Sequence, residues 1–449
     1  MLYRYSVENY KSYKDRVELV MFPFSHEGIE GKEPENDGTP FPVLKSAVIF
    51  GANASGKSNL IKSIAFARSL ILHTDSLNSV NNPCFKLNDE SVAKPTTFNF
   101  EIKLGGRLVQ YGFSILFSKN RIEEEWLYDL QTDSQLFLRV FQESEQVYQF
   151  SYSGNKFSDE ESSRLLVYEE DIRQNYTQLM LTELAGKKIS DSLFWQTIRE
   201  VYRWFKDLQI LFPGSRYNLL LQVAKDEHRI NEIYKEYFKL FDIAIDNIHL
   251  NSVPLEMLQL DADIMAELKN NLAHKPGEHS ALVMMNVKGH EYLIDMNVEG
   301  NLIAKEVKFR HQKADRQHTY DFDKTEESDG TQRLFDLIPA LARIVSEDYV
   351  FLIDEVDRSL HSLLTYRILE IFKKRSRGRN SQLICTTHEQ LLLDTTMFRP
   401  DELWMVDMNK NTSSSELYSL AKYRVKFLEN IEKNYLLGRY RAIPNFSEI

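Results

Sequence analysis

Apolar residues recur along this chain with two different periods, and the switches between them outline its architecture. Ala47-Val48-Ile49-Phe50 is a short unbroken apolar run, the pattern of a fully buried strand, and behind it Leu60, Ile61, Ile64 and Ala67 recur at helical spacing. Phe98, Phe100, Ile102 and Leu104 alternate with polar neighbours, as do Val109, Tyr111, Phe113, Ile115 and Phe117, with Gly105-Gly106 between the two runs as a hairpin turn. From about 158 to 280 the period becomes helical. Phe194, Ile198, Val201, Trp204 and Phe205 make one amphipathic face, and Ile230, Ile233, Tyr237 and Leu240 another. Strand patterns return over 281–310, with Asn297 to Asn301 as a turn. Tyr349 to Ile353 is a second buried strand. A helix carrying Leu360, Leu363, Leu364, Arg367, Ile368 and Ile371 on its apolar face follows, and Gln382 to Thr387 is a third apolar strand. Glu27 to Pro42 reads as a surface loop. The expected layout is an α/β fold with an N-terminal lobe over 1–157, a mainly helical insertion over 158–280 and a C-terminal lobe over 281–449.

The first buried strand runs into Gly51-Ala52-Asn53-Ala54-Ser55-Gly56-Lys57-Ser58, a complete Gly-x-x-x-x-Gly-Lys-Ser phosphate-binding loop. Each residue type has a reason. The glycines let the backbone curl until its N–H groups point at phosphate oxygens, and the helix that opens at the loop adds a favourable dipole. Lys57 is placed to reach the β- and γ-phosphates of a nucleotide, and the Ser58 hydroxyl to ligate Mg²⁺. Asn59 and, from the N-terminal strand, Lys11 complete the expected nucleotide-binding set.

The second buried strand ends in Asp354-Glu355. An aspartate at the carboxyl end of a parallel strand next to the loop can hold Mg²⁺ opposite Ser58, and the adjacent Glu355 is placed to take a proton from an attacking water. Together the two halves predict a nucleotide hydrolase. Its base is not guanine by any visible motif, because Asn409-Lys410 is followed by Asn411-Thr412 and not by the aspartate that a guanine reader needs.

About three hundred residues separate the two halves, and that spacing resembles the ABC-type heads of the SMC, RecF and related ATPases, which are split by a large insertion. Local features fit the resemblance. Glu8 to Tyr13 looks like their opening strand. Glu327-Ser328-Asp329-Gly330-Thr331-Gln332 looks like a degenerate ABC signature. Asp357 sits where the family has its D-loop, and His388 ends an apolar strand as its switch histidine does. The resemblance implies a head in which Ser328, Gly330 and Thr331 of one protomer cap nucleotide held by Lys57, Ser58, Asp354, Glu355 and His388 of another, with ATP and Mg²⁺ as ligands. A narrower resemblance, carried by Glu327 to Pro339, Asp354 to His361 and Tyr435 to Pro444, is to AAA-domain ATPases of the RloA and abortive-infection type. It implies a defence ATPase, at least dimeric, whose nucleotide state controls a separately encoded nuclease or toxin. Two departures stand out. Arg441 occupies a place where a second tail glycine is expected, and no glutamine loop can be assigned, Gln110 lying in a strand pattern. The alternative is a RecF- or SMC-like ATPase of DNA repair or chromosome processing. A self-contained nuclease is disfavoured, because the roughly sixty residues after His388 contain no Glu…Asp-x-Asp array.

Composition narrows the setting. Two cysteines, Cys84 and Cys385, have no disulfide or zinc spacing. No apolar span is long enough for a membrane helix and Met1 leads almost at once into a strand pattern, so the expected location is the cytoplasm, with no membrane partner. A net charge of −11 argues against a broadly basic nucleic-acid surface. Two local basic clusters keep DNA or RNA open as a partner: Lys373 to Arg379, and Lys305, Lys308, Arg310, Lys313 and Arg316.

Overall fold

The computed structural model of the chain describes residues 1–24, 40–187, 189–215, 227–272, 283–297, 299–423 and 430–443. Most of the surface loop expected over Glu27 to Pro42 lies outside these residues, as does Pro444 of the tail. The described residues fall into two compact units. The first draws on Met1–Ile210, Asp348–Val356 and Arg377–Ile449, and the second on Leu211–Glu347 and Asp357–Ser376.

In chain order the first unit opens with β1 (Leu2–Glu8), β2 (Val17–Val20), β3 (Ser46–Phe50), α1 (Lys57–Ile71) and the short α2 (Asp89–Val92). Then come β4 (Thr96–Leu104), β5 (Arg107–Leu116), β6 (Arg121–Asp129), β7 (Ser134–Gln142) and β8 (Val147–Ser151). They are followed by α3 (Asp159–Ile172), α4 (Met180–Ala185), α5 (Leu193–Asp207) and β9 (Gln209–Leu211). The second unit supplies α6 (Glu227–Leu240), β10 (Asn247–Val253), α7 (Ala262–Leu272), β11 (Val283–Val287), β12 (His290–Met296), β13 (Leu302–Gln312), β14 (Thr319–Phe322) and α8 (Asp329–Ser346). The chain returns to the first unit for β15 (Val350–Ile353), leaves it for α9 (Ser362–Arg375), and ends there with β16 (Gln382–Thr386), β17 (Leu403–Asn409), β18 (Ser414–Ser419) and α10 (Ile431–Leu436). The stretch 158–280 is thus shared: α3 to α5 lie in the first unit, α6, β10 and α7 in the second.

Two sheets build the first unit. One is antiparallel, in the order β2-β1-β4-β5-β6-β7-β8. The other runs β18-β17-β3-β16-β15-β9, with β17, β3, β16 and β15 parallel to one another and β18 antiparallel to β17 at one edge. The phosphate-loop motif follows β3, and Asp354-Glu355 follows β15. In the structure β16 lies between them, so β3 and β15 are two strand spacings apart.

Helix α1 is held against the antiparallel sheet by aromatic side chains. Phe66 meets Phe98 at a centroid distance of 5.8 Å, and Phe100 meets Phe205 of α5 edge-on at 4.9 Å. Tyr5 OH donates to Ser63 Oγ at 2.7 Å, fixing the helix on β1. The alternation in β4 points Phe98, Phe100 and Ile102 at this layer, yet Asn99, Glu101 and Lys103 are buried too, because side chains and loops also cover the second face. Gln110, weighed above as a glutamine loop, is plain sheet: its Nε2 donates to Asn99 Oδ1 at 2.7 Å. Of the run Glu8 to Tyr13, only Glu8 lies in a strand. β1 stops at Glu8, and Asn9 and Lys11 take φ of 54° and 48° to make a tight turn closed by paired Tyr10 and Tyr13 hydrogen bonds.

In the second unit the antiparallel sheet β10-β13-β12-β11, with β14 on β13, packs α7 over a core of Leu258, Leu268, Leu272, Ile294, Leu302 and Ala304. Tyr234 of α6 stacks on Phe335 of α8 at 4.8 Å. Helix α9 begins later than its sequence pattern indicates: His361 caps it, so Leu360 precedes it and Leu363 is exposed, while Thr365, Ile368, Leu369, Ile371 and Phe372 form its buried face.

One buried ion pair organises the first unit away from the loop. Glu125 and Arg139 are both fully buried, 3.6 Å apart. Glu125 accepts hydrogen bonds from the N–H groups of Met180 and Leu181 and from Tyr111 OH. Arg139 donates to the carbonyls of Gln178, Ile172 and Asn175, and its guanidinium lies 3.6 Å from the Tyr148 ring centroid. Burial pushes the Glu125 carboxyl above its ordinary range, against the pull of Arg139 and the N–H groups. The pair stitches the α3–α4 connection to the sheet. Glu125→Ala, which strands the guanidinium and two amides, is expected to cost about 3–5 kcal/mol in denaturant unfolding, and Glu125→Gln, which keeps an acceptor, less.

Candidate functional site

The phosphate loop leaves β3 and enters α1. Gly56, at the helix N-cap, has φ of +110°, and Ala54 has φ of +63°. A Cβ on Gly51 would lie 2.3 Å from the Val406 carbonyl oxygen of β17, and one on Gly56 2.2 Å from Ser415 Oγ of β18. The loop therefore fits only with glycine at both places. No side chain caps the N-terminus of α1, which leaves its positive dipole end facing the loop. Lys57 is buried, and its ammonium donates to the carbonyls of Gly51 and Ala52 at 2.7 and 3.0 Å.

Three elements converge beside it. Ser58 Oγ donates to Asp354 Oδ1 at 3.0 Å, and Thr386 Oγ1 donates to the same oxygen at 2.6 Å. Asp354 is 2% exposed. Thr386 also holds the next two residues of the chain. Its Oγ1 accepts from the Glu355 N–H at 2.8 Å, and its carbonyl accepts from the Val356 N–H at 3.0 Å. Glu355 is held at φ of +50°, a left-handed conformation that costs a side-chain-bearing residue of order 1 kcal/mol or more. Its side chain is half-buried. His388 stands exposed just past the end of β16.

A cavity of about 630 Å³ is lined by Lys11, Ser12, Asn59, Phe66, Phe85 and Lys86 among others, and by none of Lys57, Ser58, Asp354, Glu355 and His388. The Lys11 ammonium faces it with its pKa pushed down by partial burial and by Lys62. Of the expected nucleotide-binding set, Lys11 and Asn59 line this cavity and residues 51–58 do not.

A protein-family model described as "AAA domain, putative AbiEii toxin, Type IV TA system" matches residues 46–166 and 191–394. The chain belongs to this AAA-domain family. The match takes in the phosphate loop, Asp354, Glu355 and His388 of the AAA-domain protein, along with Ser328, Gly330 and Thr331. Among solved structures the chain is similar to an SMC head domain from Thermotoga maritima, at 14% identity and a TM-score of 0.38, covering 93% of this chain and 98% of that one. It is also similar to an SMC head bound to the C-winged helix domain of ScpA, at 13% and 0.42, covering 94% and 99%. A third is an Smc head domain with an extended coiled coil, bound to the C-terminal domain of ScpA derived from Pyrococcus furiosus, at 14% and 0.38, covering 98% and 99%. No curated protein matches the sequence. Among the described residues of the AAA-domain chain, no helix is long and apolar enough to cross a membrane.

The signature candidates lie in the second unit. Ser328 is the N-cap of the eighteen-residue α8, its Oγ accepting from the Thr331 N–H at 3.2 Å. Gly330 packs so closely on Ser359 that a Cβ would come within 2.9 Å of its carbonyl oxygen. Asp357 lies in the turn before α9, its carbonyl accepting from the Leu360 N–H at 3.0 Å. In the second basic cluster, Lys308 and Arg310 of β13 are paired with acids. Arg310 makes a two-pronged contact with Asp321 at 2.8 Å on each prong, which holds that carboxyl below its usual range. Lys308 lies between Asp323 and Glu306 at 2.5 and 3.0 Å. Lys374 pairs with Glu370, and Arg375 with Glu236. These cations serve their own unit first.

Sequence reasoning missed Ser415, Ser12 and Tyr13, which brace the loop from elsewhere in the chain, and the double role of Thr386. Thr386 at least abuts the histidine motif; nothing around Ser415 marks it. The glycine geometry predicts a contrast. Gly56→Ala should destabilise the protein by more than about 1 kcal/mol in urea unfolding, because both its φ and its neighbours exclude a Cβ. Gly186→Ala, at negative φ with open space around it, should be neutral or slightly stabilising.

Proposed function

We propose that this AAA-domain protein is an ATP-binding and ATP-hydrolysing switch subunit that controls a separately encoded effector in an abortive-infection type of defence. The observation that carries the nucleotide reading is the meeting of Ser58, Asp354 and Thr386 on one carboxylate oxygen, beside a phosphate loop whose helix end is uncapped. Hydroxyl and carboxylate oxygens are the hard donors that suit a small divalent cation. Ser58 and Asp354 would hold Mg²⁺, which when bound supplies positive charge against the phosphates.

The chain's own groups then divide the work. Lys57 and the loop N–H groups hold the phosphates of ATP. Glu355, whose backbone N–H is held by Thr386, takes the proton from the attacking water, and His388 acts on the γ-phosphate side. Ser328, Gly330 and Thr331 of a second protomer, with Asp357 at the pairing surface, close the site. ATP then favours the paired state and hydrolysis releases it. The family's description as a putative AbiEii toxin of a type IV toxin–antitoxin system supports a place in such a defence system, and the separate effector is this proposal's own step. The RloA-type assignment and a partner nuclease are part of this proposal.

Lys57→Ala is expected to lose nucleotide binding while keeping its fold. Glu355→Gln should keep binding and hydrolyse at least ~100-fold more slowly, the usual share of a general base. Calorimetry and phosphate release measure both, and normal turnover by Glu355→Gln would remove it as the base. In cells, this gene with its neighbouring gene should restrict phage, whereas either gene alone, or the pair carrying Lys57→Ala, should not. Plaque counts showing protection by this gene alone would rule out the separate effector.

A further inference from the structure

Two segments far from the phosphate loop in sequence hold its last turn. Ser415 of β18 is buried, and its Oγ donates to the Ser55 carbonyl at 2.5 Å across 360 residues. Tyr13, also buried, donates its hydroxyl to the Gly56 carbonyl at 3.0 Å. The two supports are tied together: the Ser415 N–H donates to the Ser12 carbonyl at 2.7 Å, and Asn59 Nδ2 of α1 donates to Ser12 Oγ at 2.8 Å. Burial drives the Tyr13 phenol far above its ordinary pKa, so it stays protonated and remains a donor.

A trans peptide unit is planar, with its C=O and N–H pointing in opposite directions. Drawing the Ser55 carbonyl onto Ser415 therefore turns the Gly56 N–H to the other side of the loop. Fixing the Gly56 carbonyl on Tyr13 does the same for the Lys57 N–H. That other side is the concave face of the loop, where the uncapped end of α1 favours an anion. We propose that Ser415 and Tyr13 are positioning residues for phosphate binding, hydroxyls that aim two loop N–H groups at a nucleotide by gripping the backbone from behind. The inference rests on the nucleotide reading above. Without the Ser415 hydroxyl the Ser55 carbonyl loses the donor that holds it, and the cost of ordering that peptide falls on binding. The Gly56 carbonyl also accepts from the Asn59 and Leu60 N–H groups, so Tyr13 adds a third donor to a plane the helix already steadies.

Isothermal titration of the full chain with MgATP and MgADP tests this. Ser415→Ala should weaken both nucleotides about tenfold, the scale of one lost buried hydrogen bond, with the binding stoichiometry unchanged. Both should suffer alike, because both carry the phosphates the loop cradles. Ser415→Thr, which restores the hydroxyl, should bind within about threefold of the wild type. Tyr13→Phe is an independent arm that keeps the ring in the core, and it decides the matter alone should Ser415→Ala not fold. Unchanged affinity in both variants, or a fall in stoichiometry at unchanged affinity, would mean the hydroxyls only hold the fold and would overturn the inference while leaving the nucleotide reading intact. Failure of the wild type to bind either nucleotide would overturn that reading, and this inference with it.

Discussion

One carboxylate oxygen, Asp354 Oδ1, takes hydrogen bonds from Ser58 and Thr386, and the geometry around it constrains the whole parallel sheet. A buried carboxylate is costly unless its lone pairs are satisfied. Satisfying this one requires three chain segments to end at the same height. The register supplies that: Ile353 lies opposite Cys385, and Thr386 opposite Ile49, so the carboxyl ends of β15, β16 and β3 are level. A one-residue slip of β16 would turn Thr386 to the other face and take both of its hydrogen bonds with it. The strand lying between β3 and β15 is therefore the link through which Asp354 and the loop are brought to a common site.

That dependence explains which parts of the site were legible in the sequence. The loop and the Asp-Glu pair are legible because their chemistry requires particular residue types in contiguous order, whatever surrounds them. The order of the strands is not, since three short apolar runs read alike and only pairing decides which is central. Ser415 lies in a serine-rich stretch with no motif, and its role comes from β18 being antiparallel at the sheet edge, a long-range fact. Similarly, β4 alternates in sequence like a half-exposed strand, whereas side chains on both of its faces are buried. The helical faces were read more faithfully, because their period is local. Even there, the cap at His361 moved the start of α9 and exposed Leu363.

The tail gives a case in which a departure from a family pattern has a structural cost that can be seen. Arg441 stands where a second glycine was expected, and its φ is +60°, followed by Ala442 at +56°. Glycine would take that conformation freely. Arg441 instead reaches Asp407 at 2.8 Å and Glu416 at 3.2 Å, on β17 and β18. Tyr440, just before it, is fixed by the Tyr418 hydroxyl on its carbonyl, and Tyr435 packs its ring against Phe50 at the mouth of the phosphate loop. The strained turn thus anchors the two strands from which Val406 and Ser415 press on the loop.

Strain at Glu355 has a different setting. Its φ of +50° is not eased by a glycine or by an open turn; it is enforced by one residue, Thr386, which binds the N–H of Glu355 through its side chain and that of Val356 through its backbone. With two successive amides pinned, the direction in which the Glu355 side chain leaves the backbone is set before any ligand arrives, and only its own torsions remain to be chosen. The same threonine hydroxyl donates to Asp354. Any movement that relaxed Glu355 toward an ordinary backbone conformation would have to break the hydrogen bond that helps satisfy Asp354. The two carboxylates are therefore coupled through a single hydroxyl, so that under the proposed chemistry the group that holds the metal and the group that accepts the proton cannot be displaced independently.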